Sequence, residues 1–133
     1  MDKSENELAH VVIGLAIEVH RILGPGFHKE IYTDCLKQEF KNNQIPAVFK
    51  QAVPLIYKEV AIEVPHVIDC VVDSRLFLQI ETTDQIHDGL VNAALKILRQ
   101  EQYKLGLIIN FHAPLLKNGI RRINNRMNNE SSS

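Results

Sequence analysis

Val67-Ile68-Asp69-Cys70-Val71-Val72-Asp73-Ser74-Arg75-Leu76-Phe77-Leu78-Gln79-Ile80-Glu81-Thr82 is the stretch on which the fold reading turns. Two runs of strand formers flank Asp73-Ser74-Arg75, whose composition suits a turn, so the stretch predicts two consecutive strands. Each run carries one embedded acid, Asp69 in the first and Glu81 in the second. Alternation puts Phe77, Gln79 and Glu81 on one face and Leu76, Leu78 and Ile80 on the other. An acid within an apolar strand costs free energy unless it is paired, hydrated or bound to a cation. Two such carboxylates on adjacent strands suit one hard divalent ion, since Mg²⁺ is commonly held by one or two carboxylates plus water. The competing reading places both acids at a solvated sheet end or against Lys or Arg.

Upstream, Ser4 with Glu7 three residues later is a capping-box start. Leu8, Val11, Val12, Leu15, Val19 and Ile22 recur at helical spacing, which predicts a helix over 5–23. Gly24-Pro25-Gly26 ends it. A second helix is expected over 28–42, with Ile31, Tyr32, Cys35, Leu36 and Phe40 on one side. Residues 47–57 are rich in strand formers, with Pro54 suggesting an edge or a bulge, and Val60–Val64 is a further short run. Downstream, 85–102 returns to helical spacing. Leu105–Phe111 is a continuous apolar run, as expected for a strand buried on both faces. After Pro114 and Asn118-Gly119, Ile120–Ile123 reads as one more short strand. The order α-α-β-β-β-β-α-β predicts an α/β fold, a mixed sheet flanked by helices.

The chain has 133 residues, 45% hydrophobic and 23% charged, which fits one domain with an adequate core. Residues 1–125 are expected to form that domain, and the Asn- and Ser-rich 126–133 a flexible tail. Fifteen Lys+Arg against sixteen Asp+Glu give a formal charge of −1, which argues against a strongly basic nucleic-acid coat. Two cysteines, Cys35 and Cys70, are too few for a disulfide framework or a zinc knuckle and read as small buried residues. The acidic, polar start does not resemble a signal peptide, and no apolar run is long enough to span a membrane. The expected location is cytoplasmic.

A family resemblance rests on motifs distributed along the whole chain. Ile13-Gly14-x-Ala16-Ile17-Glu18-Val19-His20-Arg21-x-Leu23-Gly24-Pro25-Gly26 resembles the opening of the GxxExxY proteins, nuclease-like members of the PD-(D/E)xK superfamily. The likeness continues through Tyr32-x-x-Cys35-Leu36, Val53-Pro54-Leu55-x-Tyr57-Lys58 and Asp69 to Glu81. It ends with Leu105-Gly106-Leu107-Ile108-Ile109-Asn110-Phe111 and Pro114-Leu115-Leu116-Lys117-x-Gly119-Ile120-Arg121-Arg122. It implies a restriction-endonuclease-like core, with metal-binding acids on two adjacent strands and Mg²⁺ as cofactor if the site is active. On this reading Asp69 is the superfamily's aspartate and Glu81 the acid of its E-x-K element. Glu18 matches as well and stands as a further metal-side carboxylate, or else as an interfacial acid capped by a neighbour. His20 reads as a structural hydrogen-bonder.

Several positions depart from that pattern. The lysine of E-x-K is expected at 83, where this chain has Thr83, a hydroxyl without charge. That lysine helps orient the attacking water and offset charge on the phosphate, and losing one such contact typically costs about 10²–10³ in rate. Three residues after Gly26 the signature's glutamate is replaced by Lys29; Glu30 comes one later, a turn of about 100° away on a helix. Tyr32 is in place. The glutamine expected on the following helix is Leu90. Lys96 lies on the far side of that helix from Leu90. Lys29 is therefore the remaining candidate cation, either supplying the missing charge or forming an ion pair with Asp69 or Glu81 where a metal would lie.

Three functions remain open. The leading one is a nuclease-fold protein that has lost or impaired its chemistry, a pseudoenzyme that binds nucleic acid or a protein partner. The second is an active Mg²⁺-dependent phosphodiesterase with a rearranged site, using Asp69 and Glu81 assisted by Glu18 or Glu30. The third is a homo-oligomeric or partner-binding module, prompted by the wide apolar arc Ile86, Leu90, Val91, Ala93, Ala94, Leu95, Ile97 and Leu98. For nucleic acid the best local candidate is Lys117, Arg121 and Arg122, with Arg126 nearby, although no aromatic platform accompanies them.

Overall fold

The capping box forms as expected: the Ser4 hydroxyl accepts the Glu7 N–H at 3.1 Å, and the Glu7 carboxylate accepts the Ser4 N–H at 2.9 Å. The computed structural model describes residues 3–126. Helix α1 spans Glu5–Leu23 and α2 spans Lys29–Asn42. Strands β1 (Ala47–Val53), β2 (Ile56–Tyr57), β3 (Val60–Ala61), β4 (His66–Val72) and β5 (Leu76–Glu81) follow. After α3 (Asp88–Gln100) come β6 (Leu105–Asn110), a 3₁₀ turn at Leu116–Gly119, and β7 (Ile120–Asn124). The polar tail expected over 126–133 lies, beyond Arg126, outside the described residues.

Five strands form one mixed sheet in the order β1-β4-β5-β6-β7. Only β5 and β6 run parallel, joined across one face by α3; the other pairs are antiparallel. Helices α1 and α2 cover one face, where Val12, Ala16, Tyr32, Leu36 and Phe40 pack on Leu76, Leu78, Leu107 and Ile109. Helix α3 covers the other face, with Ala94, Leu95, Ile97 and Leu98 against Phe77, Ile108 and Ile123. Strand β6 is buried along its whole length, as expected of its apolar run over 105–109. The expected α/β sandwich around a mixed sheet is therefore the fold. The chain has five strands before α3 where the sequence predicts four, because Pro54 has no N–H and ends β1. Residues 56–61 instead make a separate two-stranded hairpin. Gln100 anchors that hairpin, accepting the Ile56 N–H at 3.1 Å and donating to Pro54 O at 2.6 Å.

The sheet changes face at one point. Phe49 and Cys70, a paired position, pack on the α1–α2 side, whereas Val53 and Ile68, which share parity with them, pack on the α3 side. Simple alternation would put all four on one side. Between them lie Lys50, with a left-handed φ of 58°, and Asp69. The β1–β4 ribbon thus turns over where Asp69 stands, and β4 begins to leave β5 there.

The 3₁₀ turn closes on Gly119, where a Cβ would lie 2.6 Å from Asn110 O and 2.7 Å from Ala113 Cβ. Gly119→Ala is expected to cost about 1–3 kcal/mol through overpacking against backbone that cannot yield. A fall in the midpoint of urea unfolding at unchanged slope checks this.

Candidate functional site

The β4–β5 ladder pairs Val72 with Leu76, Val71 with Phe77 and Cys70 with Leu78, then stops, although both strands continue. The next pair in that register is Asp69 and Gln79. Instead of a ladder bond, the Ile80 N–H donates to Asp69 Oδ2 at 2.7 Å. The opening left by the diverging strands is a cleft of about 120 Å³ lined by Lys29, His66, Asp69, Phe77, Gln79 and Glu81, with Val67 and Ile68.

Lys29, the first residue of α2, reaches into this cleft, and its Nζ lies 2.7 Å from Asp69 Oδ1. The carboxylate is largely buried, with 13% of its side chain exposed, against 39% for the lysine. Both Asp69 oxygens are thereby engaged by the chain's own donors. Gln79 Nε2 donates to Glu81 Oε2 at 2.7 Å, so the two same-face residues of β5 are bound to each other. Glu30, one residue after Lys29, turns to the neighbouring strand and pairs with Lys50 at 2.9 Å. The Lys50 ammonium holds the Glu30 carboxyl below its ordinary range.

The loop before Lys29 is fixed by the other signature residues. Gly26 has φ of 110°, in the region that only glycine adopts freely. The Tyr32 hydroxyl donates to Gly24 O at 2.6 Å and accepts the Phe27 N–H at 3.2 Å. Its fully buried ring stacks on Phe111, with centroids 4.5 Å apart and an interplanar angle of 11°. His20 Nε2 donates to Ala113 O at 2.8 Å; a carbonyl only accepts, so Nε2 carries the hydrogen. Gly26, Tyr32 and His20 thus hold the start of α2 against the end of β6 and so set where Lys29 can reach.

Other sequence candidates stand elsewhere. Strand β5 ends at Glu81, and Thr83 lies in the following turn. Its N–H and C=O are both held by the Asn110 side chain, at 3.1 and 2.9 Å, and its hydroxyl donates to Gln85 O at 2.9 Å. The same turn delays α3, which begins at Asp88 rather than near 85, with His87 accepting the Leu90 N–H. Leu90 is half-buried at the start of that helix. In the apolar arc, Ala94, Leu95, Ile97 and Leu98 are taken up by the sheet, Ile86 and Val91 pack beside them, and Ala93 is exposed. Glu18 faces outward on α1 and is held by Arg21 at 2.9 Å, which keeps its carboxyl below the ordinary range. Arg121 and Arg122 are neighbours on β7, so alternation sends them to opposite faces of the sheet, with Arg122 Nη1 3.5 Å from Asn6 Oδ1 on α1. Lys117 is exposed in the 3₁₀ turn. Cys70 is buried, and burial pushes its thiol up, the opposite of an activated nucleophile. Gln79 and His66, which line the cleft, are the residues that sequence reasoning passed over. The signal for Gln79 was its shared face with Glu81.

The superfamily-type divalent cation does not fit these residues as they stand. Asp69 has both oxygens occupied, one by an ammonium, and among the described residues no group of three or more His, Cys, Asp or Glu is placed to hold a metal ion. Comparison with known proteins gives one family: the model of the PD-(D/E)XK nuclease superfamily matches residues 6–123. The chain belongs to the PD-(D/E)XK nuclease superfamily. No curated protein and no solved structure matches it. The five-stranded mixed sheet flanked by helices described above is consistent with that superfamily's fold. Among the described residues no helix is long and apolar enough to cross a membrane.

Proposed function

We propose that this is a nuclease-fold domain that acts by binding, of nucleic acid or of a protein partner, and not by cleaving phosphodiesters. The observation that carries the reading is the Lys29–Asp69 ion pair, with the second Asp69 oxygen capped by the Ile80 amide. A carboxylate so engaged has little capacity left to hold a metal or to accept a proton from water. Among the described residues no lysine on a strand lines the cleft. The resemblance makes Glu81 the acid of E-x-K and Thr83 its lysine position. The residue opposite Asp69 in the β4–β5 register is Gln79, so an element read from there would run Gln79-Ile80-Glu81, and neither frame supplies an acid followed by a lysine. A second reading, a rearranged Mg²⁺-dependent phosphodiesterase, is favoured by the convergence of Asp69, Glu81 and Lys29 on one cleft.

One assay separates the two. Wild-type protein incubated with single- and double-stranded DNA and RNA in Mg²⁺ or Mn²⁺ is expected to leave every substrate intact. Cleavage that disappears in both Asp69→Ala and Glu81→Ala would establish the phosphodiesterase instead. Lys29→Glu with Thr83→Lys is expected to stay silent, because position 83 is tied to Asn110 outside the cleft. Lys29→Glu with Gln79→Glu and Glu81→Lys is the set expected to gain cleavage in Mg²⁺ or Mn²⁺ where wild type shows none. Binding is read separately, by fluorescence anisotropy on nucleic acids over a salt series and by light scattering for self-association. A salt-dependent affinity weakened by Arg121→Ala and Arg122→Ala would assign the β7 arginines to a phosphate backbone.

A further inference from the structure

The cleft holds two carboxylates and one ammonium, and the helix, not the strand, supplies the ammonium. We propose that the Lys29 ammonium is the resident cation of this cleft, a tethered replacement for a divalent ion, and that removing it opens a divalent-cation site made by Asp69 and Glu81. The inference deepens the reading above and rests on it only in taking those two residues as the cleft's acids.

Three features carry it. The first is position: Nζ lies 2.7 Å from Asp69 Oδ1, at the point where β4 and β5 part and an uncompensated carboxylate would be costly. The second is preorganisation. Tyr32 clamps the preceding loop, the Thr33 hydroxyl donates to Lys29 O at 3.0 Å, and Glu30 is anchored to Lys50, so the Lys29 backbone is held on three sides. A tethered cation acts at an effective concentration in the millimolar range or above, which an ion bound weakly by one or two carboxylates does not overcome. The third is the order of charges on α2. Glu30, the acid next to Lys29, is drawn to β1, so α2 brings the cleft a cation and no carboxylate. Without the ammonium, Asp69, Glu81 and the Gln79 amide would present oxygen donors, the ligand type that Mg²⁺ and Mn²⁺ prefer.

Thermal unfolding in chelator and in millimolar Mn²⁺ tests this without reference to activity, since a ion bound only to the folded state raises its melting temperature. Wild type is expected to melt at the same temperature in both. Lys29→Met is expected to melt lower in chelator and to rise with Mn²⁺, reporting an affinity at least about tenfold above that of wild type. Adding Glu81→Gln to Lys29→Met is expected to abolish the rise, and Lys29→Arg, which keeps a cation, to behave as wild type. A wild type stabilised by Mn²⁺ as much as Lys29→Met overturns the proposal, as does a folded Lys29→Met that ignores the ion. Should Lys29→Met fail to fold in chelator, wild type alone decides by NMR. Paramagnetic broadening of the Ile80 amide by Mn²⁺ overturns the proposal, and a sharp signal supports it. Cleavage by a wild type whose melting ignores Mn²⁺ would sink the binding-only function alone; Mn²⁺ uptake by a wild type that does not cleave would sink this inference alone.

Discussion

Tyr32→Ala is expected to lower the unfolding free energy by about 3–5 kcal/mol, the range for truncating a large buried aromatic. The ring is fully buried, stacks on Phe111 and meets Phe27 edge-on at 6.3 Å. Truncation leaves a cavity between α1, α2 and the end of β6. It also strips Gly24 O and the Phe27 N–H of their partner. Tyr32→Phe separates the two contributions: it keeps the stacking and removes the hydroxyl, so about 1–2 kcal/mol is expected from the orphaned loop groups. Urea unfolding of the two variants measures both values. Equal losses for Phe and Ala would show that the loop clamp outweighs the packing. Because the clamp fixes the loop before Lys29, Tyr32→Phe is also expected to loosen the Lys29–Asp69 pair, read as faster hydrogen exchange at the Ile80 amide.

Asn110→Ala is expected to cost about 2–4 kcal/mol although it removes only one small side chain. Asn110 is 2% exposed and ends β6. Its Oδ1 accepts the N–H groups of Thr83 and His112, and its Nδ2 donates to Thr83 O. Alanine leaves three backbone groups without that partner; a fully orphaned one costs about 1–3 kcal/mol, and water partly replaces the partner at exposed His112 and half-buried Thr83. Asn110→Asp keeps the two acceptor bonds but sets a carboxylate oxygen against Thr83 O and buries a charge, so a loss at least as large is expected at neutral pH. Urea unfolding ranks the pair, and hydrogen exchange at the Thr83 amide locates the change. Freed from Asn110, the turn at 83–85 is expected to exchange at the rate of an open loop.

Much of the fold is legible in local sequence because local physics decides it. The capping box and the Gly24-Pro25-Gly26 stop set both ends of α1. The apolar run of 105–109 gives the buried interior strand β6. Asp73 and Ser74, with φ of 52° and 60°, make the tight turn that joins β4 to β5. The acids Asp69 and Glu81 were likewise visible as charges inside strands, and both line the cleft. Other features depend on distant atoms. Lysine has no preference for positive φ, so nothing local marks Lys50 as the point where the β1–β4 ribbon turns over. Thr83 continues the strand pattern in sequence, yet Asn110, 27 residues away, draws its backbone into a turn. The exchange of Lys29 for an acid was readable. Its contact with Asp69 follows only once α2 is seated beside the parting strands.

A crystal structure of the wild-type protein soaked in millimolar Mn²⁺ tests the central claim most directly. No anomalous density is expected between Asp69 and Glu81, and Lys29 Nζ is expected within hydrogen-bonding distance of Asp69 Oδ1. A manganese ion bridging those two carboxylates, with Lys29 turned out to solvent, would contradict it.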